Sequence, residues 1–161
     1  MKRERMNNKG YSLLEVVIVV SLIALFTGVA FIGFRVLNSR QVDDCVKKLK
    51  MGLESNKVTT MGKFESSVSI YVDSKGYLTL DESINGEINT KRIGDDNLKY
   101  EYKVDAGAWN NVPGASNKLT VKFNRNSGSV ETTEVTDFRI SLGNTSVTVN
   151  IDKLTGRVSV N

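Results

Sequence analysis

The 161-residue chain contains no histidine and a single cysteine, Cys45. Histidine is the commonest general base near neutral pH and the commonest metal ligand, so the usual hydrolytic triads and histidine metal centres are excluded. One cysteine excludes an intramolecular disulfide, a catalytic cysteine–histidine pair and a cysteine-ligated zinc site. We therefore expect no enzymatic activity, no cofactor and no metal.

The chain also lacks a strong charge imbalance once its first ten residues are set aside. The net charge is +4, and residues 1–10 carry four basic side chains against Glu4, a balance of +3. The remaining residues therefore carry only +1, from 18 basic and 17 acidic side chains. We do not expect nucleic-acid binding, although charge alone leaves it open. A basic leader of this kind is typical of a segment that orients a membrane helix.

The main feature that is present is an uncharged run of 19 residues, 16–34, of which 13 are Ile, Leu, Val or Phe. As a helix it would extend about 28 Å, against a hydrocarbon core of about 30 Å. Because the basic residues precede the run, the positive-inside rule keeps residues 1–10 in the cytoplasm. The sequence thus predicts a single pass through the cytoplasmic membrane, with everything after Arg35 outside.

An ordinary signal peptide or signal anchor is the alternative for this segment. Residues 28–30 (GVA) form an acceptable small-x-small site for signal peptidase. Glu15 argues against this interpretation, because it places a carboxylate at the start of the apolar run. An ionised side chain is costly there and usually serves a function.

Residues 9–16 (KGYSLLEV) resemble the prepilin cleavage and methylation motif of type IV pilins and type II secretion pseudopilins. The resemblance implies that Gly10 ends a leader that prepilin peptidase removes. It also implies that Tyr11 becomes the N-methylated amino terminus and that Glu15 is the assembly carboxylate. The implied partners are prepilin peptidase, other pilin or pseudopilin subunits, the cytoplasmic membrane and the filament assembly machinery.

Beyond the apolar run, the sequence predicts that the helix continues to about residue 55 or 60. Apolar residues follow one helical stripe, at Val42, Cys45, Val46, Leu49 and Leu53. Cys45 lies on this stripe, so we interpret it as a small core residue rather than a reactive thiol.

Beyond residue 65 the apolar pattern changes to a period of two, interrupted by turn residues. Seven short strands are predicted, at residues 68–72, 77–80, 98–104, 119–123, 138–142, 147–151 and 157–160. The predicted fold is α+β, with a long N-terminal transmembrane and amphipathic helix packed on a C-terminal antiparallel sheet or small sandwich. The predicted segments are a leader (1–10), a transmembrane and assembly helix (11–35), the outer half of that helix (36–62) and a β-rich head (63–161).

Residues 146–160 resemble the closing hairpin of GspH/FimT-type minor pseudopilins, which implies a minor subunit. The resulting hypothesis is a structural subunit of a type IV pilus, type II secretion or competence pseudopilus. The alternative is a membrane-anchored or secreted surface binding module that does not polymerise.

Two groups of residues leave smaller alternatives open. Asp95, Asp96 and Asp105 could supply calcium ligands, although loop and turn roles are favoured because their spacing matches no calcium loop. Trp109 could be an exposed adhesive aromatic, but we expect it to fold back onto the core.

Overall fold

The protein combines one long helix with two antiparallel sheets in a computed structural model that describes residues 12–62, 64–132 and 135–161; the side chains of residues 28–36 are not described. Helix α1 spans Leu13–Met61. The chain divides into two compact units, Met1–Leu37 and Asn38–Asn161. The α+β class and the antiparallel pairing agree with the predicted fold.

The described strands form two five-stranded sheets. In chain order they are β1 (Ser66–Val72), β2 (Leu78–Ile84), β3 (Glu87–Arg92), β4 (Lys99–Lys103), β5 (Asn110–Asn111), β6 (Leu119–Phe123), β7 (Val130–Thr132), β8 (Asp137–Leu142), β9 (Thr145–Ile151) and β10 (Val158–Val160). The first sheet has the order β3-β2-β1-β6-β7, and the second has the order β10-β9-β8-β4-β5. Hairpin neighbours pair within each sheet, whereas the β1–β6 and β4–β8 contacts join strands that are distant in sequence.

Each of the seven predicted strands corresponds to a strand of the structure, which confirms the alternating pattern. Strands β3, β5 and β7 were not predicted. All six residues of β3 are exposed, so the strand shows no alternation of apolar and polar side chains. Its register on β2 comes from the turn at Asn85 and Gly86, whose φ angles are 51° and 89°. Two positive φ angles in a two-residue loop are the requirement of a type I′ hairpin turn.

The core lies between the helix and the inner faces of both sheets. The predicted stripe is confirmed, because its five residues on α1 are between 0% and 4% exposed. They form one cluster with Val68 and Ile70 of the first sheet and with Phe138 and Ile140 of the second. Each such side chain contributes about 1.5–3 kcal/mol when it leaves water. The second unit therefore has a hydrophobic core of its own.

Two loops of this unit touch through glycines. In the β9–β10 loop the Asp152 carboxylate accepts the backbone N–H groups of Leu154 and Thr155, both at 2.9 Å, and Gly156 has a φ of 59°. A Cβ atom at Gly156 would overlap the carbonyl oxygen of Gly128 in the β6–β7 loop. Gly156 is therefore required both by the backbone conformation and by the neighbouring loop.

A fragment that begins near Val36 should be soluble, monomeric and rich in β-structure, because the Asn38–Asn161 unit buries its own apolar stripe. Size-exclusion chromatography and far-UV circular dichroism would test this. Aggregation of every fragment that begins in this region would contradict an independently folding unit.

Two glycine substitutions should separate backbone strain from loop contact. Gly86→Ala should destabilise this fragment by about 1–2 kcal/mol, because the residue has a positive φ but open space around it. Gly156→Ala adds the overlap with Gly128 and should cost about 2–5 kcal/mol in total. Urea denaturation followed by tryptophan fluorescence would compare the two variants. Equal urea midpoints for the two variants would show that the β9–β10 and β6–β7 loops are not in close contact at Gly156.

Candidate processing and assembly site

The start of α1 is defined by Ser12. Its side-chain Oγ accepts the backbone N–H of Glu15 at 3.2 Å, and its carbonyl oxygen accepts that of Val16, also at 3.2 Å. Ser12 is thus the N-cap and Glu15 the third residue of the helix, which is the Ser-x-x-Glu spacing of a capping box. Our sequence analysis missed this role of Ser12, although the four-residue spacing is its signal.

Glu15 lies in the first turn of α1 and is exposed in the single chain. A carboxylate in this turn interacts favourably with the positive end of the helix dipole. Gly10 and Tyr11, the predicted processing and methylation residues, lie outside the described residues. Their roles therefore stay predictions.

The large apolar side chains between residues 13 and 27 are uncovered in the single chain. Their exposed fractions run from 49% at Val19 and Leu22 to 83% at Leu13. The hydroxyl groups of Ser21 and Thr27 donate to the carbonyl oxygens of Val17 and Ile23, each at 2.7 Å. These hydroxyls are therefore satisfied within the helix and suit an apolar environment. A helix segment with apolar side chains on every face is stable only in an apolar environment, such as a lipid bilayer or a bundle of helices.

Within the described part of the chain, no helix is both long and apolar enough to span a membrane. The predicted span, residues 16–34, includes side chains that lie outside the described residues. The span accordingly remains a prediction.

Cys45 is a core residue, as predicted. It is 1% exposed, and burial raises the pKa of its thiol to about 12. The thiol is protonated at neutral pH, so it is a poor nucleophile. Its Sγ atom lies beside Gly94, and the residue belongs to the hydrophobic cluster between the helix and the sheets.

The outer face of the second sheet has a charged cluster centred on Glu101, which is 7% exposed. Its carboxylate pairs with Lys99 at 2.8 Å and accepts two hydrogen bonds from Arg139, at 2.9 and 2.7 Å. The hydrogen bond from Lys99, together with those from Arg139, holds the pKa of Glu101 below its usual range despite burial. The charge is thus compensated where it is removed from water.

Trp109 lies against this cluster rather than on the core, which corrects our expectation. The Arg139 guanidinium carbon is 4.2 Å from the ring centroid, and Lys103 Nζ is 5.2 Å from it. The ring is partly exposed and is not a member of the hydrophobic cluster. Cation–π attraction explains why the indole packs on a polar face.

The outer face of the first sheet repeats this arrangement around Asp81. Its carboxylate accepts hydrogen bonds from Lys118 at 2.6 Å and from Thr90 at 2.7 Å. Burial tends to raise the pKa of Asp81, but the hydrogen bonds from Lys118 and Thr90 outweigh it and lower the pKa. Lys118 Nζ also lies 4.4 Å from the centroid of the Tyr71 ring.

The three aspartates considered for calcium have separate surroundings. Asp105 pairs with Lys153 at 2.8 Å. The backbone carbonyl of Asp95 accepts the Tyr100 hydroxyl, and Asp96 lies beside Gly76. Among the residues that the structure describes, no group of three or more acidic, cysteine or histidine side chains could hold a metal ion.

A polar cleft of about 620 Å³ opens between the end of α1 and the first sheet. Lys122 and Arg125 line it together with Glu65 and Glu131, so its charged side chains balance. The volume is in the range of small-molecule sites, which are usually more apolar. The cleft is the feature of the described residues that best suits the surface-binding alternative.

Comparison with known proteins identifies the amino-terminal segment. Residues 5–31 match the family model of the prokaryotic N-terminal methylation motif. No curated protein and no solved structure is significantly similar to the chain. Residues 5–31 therefore carry the prepilin-type signal of type IV pilins and pseudopilins, which supports a pilin-like or pseudopilin precursor.

Proposed function

We propose that the chain is a structural subunit of a type IV pilus, type II secretion or competence pseudopilus, assembled through its N-terminal helix. The methylation motif over residues 5–31 carries this proposal. The uncovered apolar side chains between residues 13 and 27 support it, because neighbouring helices in a filament would cover them. No enzymatic role is proposed.

Processing comes first in this proposal. Prepilin peptidase cuts between Gly10 and Tyr11, and the new amine of Tyr11 is methylated. The precursor is anchored in the cytoplasmic membrane, with residues 1–10 in the cytoplasm and the Asn38–Asn161 unit outside. The mature subunit then leaves the membrane for the extracytoplasmic filament.

Assembly in this proposal depends on Glu15. An isolated carboxylate is costly in an apolar helix bundle, whereas a pair with an ammonium group is tolerated. The terminal ammonium of a neighbouring subunit supplies that partner. The position of Glu15 in the first turn supports this, because it lies only four residues from Tyr11 and is exposed to an incoming chain.

A minor position in the filament is the finer part of the proposal. It rests on the resemblance of the ending to GspH/FimT-type minor pseudopilins. Strands β9 and β10 form the expected hairpin, in which Val158 pairs with Ile151 and Val160 with Val149. The structure gives this hairpin a core role, since Ile151 and Val158 are buried.

The second candidate is a surface binding module that does not polymerise. The polar cleft favours it, because a structural subunit has no need of a ligand site. The two candidates differ in the fate of the apolar helix, which remains in the membrane in a non-polymerising module.

The processing proposal predicts a defined mature terminus. Mass spectrometry of the membrane-extracted protein should find a chain that begins at Tyr11 with one methyl group on its amine. A terminus at Phe31 would mean that signal peptidase had cut after Ala30, and the pilin-like proposal would fail.

Removing the Glu15 carboxylate should block assembly without harming membrane insertion. Glu15→Val deletes a group that costs about 2.5–3.5 kcal/mol at the centre of a membrane helix, and less near the interface. In the filament the variant leaves a neighbour's ammonium unpaired, at a cost of about 3–5 kcal/mol. We expect a cleaved, membrane-resident subunit that is absent from sheared filaments, measured by immunoblotting of both fractions.

Two further variants control this experiment. Glu15→Gln keeps the length and polarity of the side chain and should fail like Glu15→Val if the charge matters. Glu54→Gln removes a carboxylate that is 49% exposed and pairs with Lys50 in the same helix, and it should assemble normally. Normal incorporation of Glu15→Val would leave Glu15 without an assembly role.

A further inference from the structure

An apolar groove of about 420 Å³ opens between α1 and the strands β2 and β3. The buried side chains of Leu80 and Ile93 line it, and Met51 lies at its side with 67% of its surface exposed. The volume is in the range of binding sites. Because apolar surface open to water favours cover by another apolar group, the groove suits an apolar side chain from a second molecule.

The most exposed large apolar side chain that the structure describes is Leu154 in the β9–β10 loop, at 86%. Its loop is held on both sides of this residue. Lys57 Nζ donates to the Thr155 carbonyl oxygen at 2.7 Å, and the Lys153 carbonyl oxygen accepts the Val130 N–H at 2.9 Å. Leu154 thus projects from an ordered loop, so its burial in a partner would require little further ordering.

The groove and Leu154 lie at opposite edges of the first sheet. The groove is beside β3 at one edge, whereas the Leu154 loop bonds to Val130 of β7 at the other. Four strand spacings of about 4.8 Å place these edges about 19 Å apart, which is too far for Leu154 to fill the groove of its own chain. A contact between two unlike surfaces of neighbouring copies is heterologous, and it can be repeated along a filament.

The two features also differ in height along α1. The groove lies beside residues 48–55, and the Leu154 loop bonds to Lys57. From the middle of that range to Lys57 the helix rises about 8 Å, at 1.5 Å per residue. A copy displaced by this distance along a parallel helix would bring Leu154 level with the groove. The contact is therefore compatible with copies whose helices run in the same direction.

The charges beside the groove and the loop are complementary. Lys48 lines the groove and has no ion-pair partner among the described residues. In the β9–β10 loop, Lys153 is paired with Asp105 at 2.8 Å. The Asp152 carboxylate is instead held by backbone N–H groups, with no cation at ion-pair distance in the described part of the chain. The loop thus offers an anion to a groove that offers a cation.

We propose that the groove binds Leu154 of a second copy of this chain, in a heterologous contact between neighbouring subunits. The proposal rests on the proposed function, because copies with parallel helices need a common membrane or filament. One side chain buries much less than the roughly 1,200 Å² of a stable soluble complex. The contact therefore acts between copies that their apolar helices already hold together, where the effective concentration is high. A fragment without those helices stays monomeric.

Thiol crosslinking of the full chain in membranes tests this contact. One copy carries Thr155→Cys beside Leu154, and a second copy carries Ser55→Cys in the groove. Both positions are exposed, so neither change should disturb folding, and the native Cys45 is buried and should not react. The two copies are overproduced together and treated with a short bismaleimide. We expect a crosslinked dimer that neither variant forms alone.

Two matched variants show whether the groove and the leucine are responsible. Glu54→Cys replaces Ser55→Cys and places the thiol on the same helix but outside the groove, at a residue that is 49% exposed. Leu154→Ser, added to the Thr155→Cys copy, removes the apolar side chain. Each change should lower the dimer yield by about 10-fold or more, the factor that burial of one leucine side chain allows.

The outcomes separate this contact from the proposed function. Equal yields with Leu154 and Leu154→Ser, or with Ser55→Cys and Glu54→Cys, would overturn the contact. Dimers from Thr155→Cys copies alone would show a symmetric contact and would also overturn it. Mass spectrometry of the same membranes reports the amino terminus. A chain that begins at Tyr11 but gives no pair-specific crosslink leaves the proposed function standing, whereas a terminus at Phe31 overturns that function.

Discussion

The packing of two sheets on one stripe of α1 is the contact on which the Asn38–Asn161 unit depends. Val42, Leu49 and Leu53 are fully buried, and they form one cluster with inner-face residues of both sheets. A sheet that is apolar on one face must bury that face against another element. Here a single helix supplies part of the cover for both sheets. A polar residue on this stripe would therefore weaken both sheets at once, since they share one core.

Because the inner faces of both sheets are buried in the core, their outer faces lie toward water. Both sheets have a nearly buried carboxylate there, Asp81 or Glu101, held by cations that also lie near aromatic rings. A charge withdrawn from water is stabilised only when its partners are close. Because both carboxyl pKa values are lowered in the folded protein, their contribution to stability is present at neutral pH. It is lost as the pH falls through the folded-state pKa values.

The amino-terminal end of α1 differs from the core stripe, because its large apolar side chains between residues 13 and 27 are exposed to solvent rather than buried by other described residues. Glu15 has two roles there: it occupies the third position of a capped helix, and in the proposed filament it neutralises a neighbour's amine. The two roles need different parts of the residue. The cap uses the backbone N–H, and assembly uses the carboxylate. The helix cap and the proposed assembly contact can therefore coexist in one short motif.

Much of this protein was predictable from the sequence, because the relevant patterns are local. The prepilin-type signal lies within 27 residues, and the buried stripe and the seven strands follow from helical and strand periods. Strand β3 was not predicted, because it is exposed on both faces and its pairing depends on the turn at Asn85 and Gly86. The position of Trp109 was predicted wrongly because its partners, Lys103 of β4 and Arg139 of β8, lie outside its own loop.

The sequence by itself determined the amino-terminal motif and which side chains face the core. Only the tertiary structure decided that β1 lies beside β6 and β4 beside β8, because pairing between distant strands depends on the whole chain.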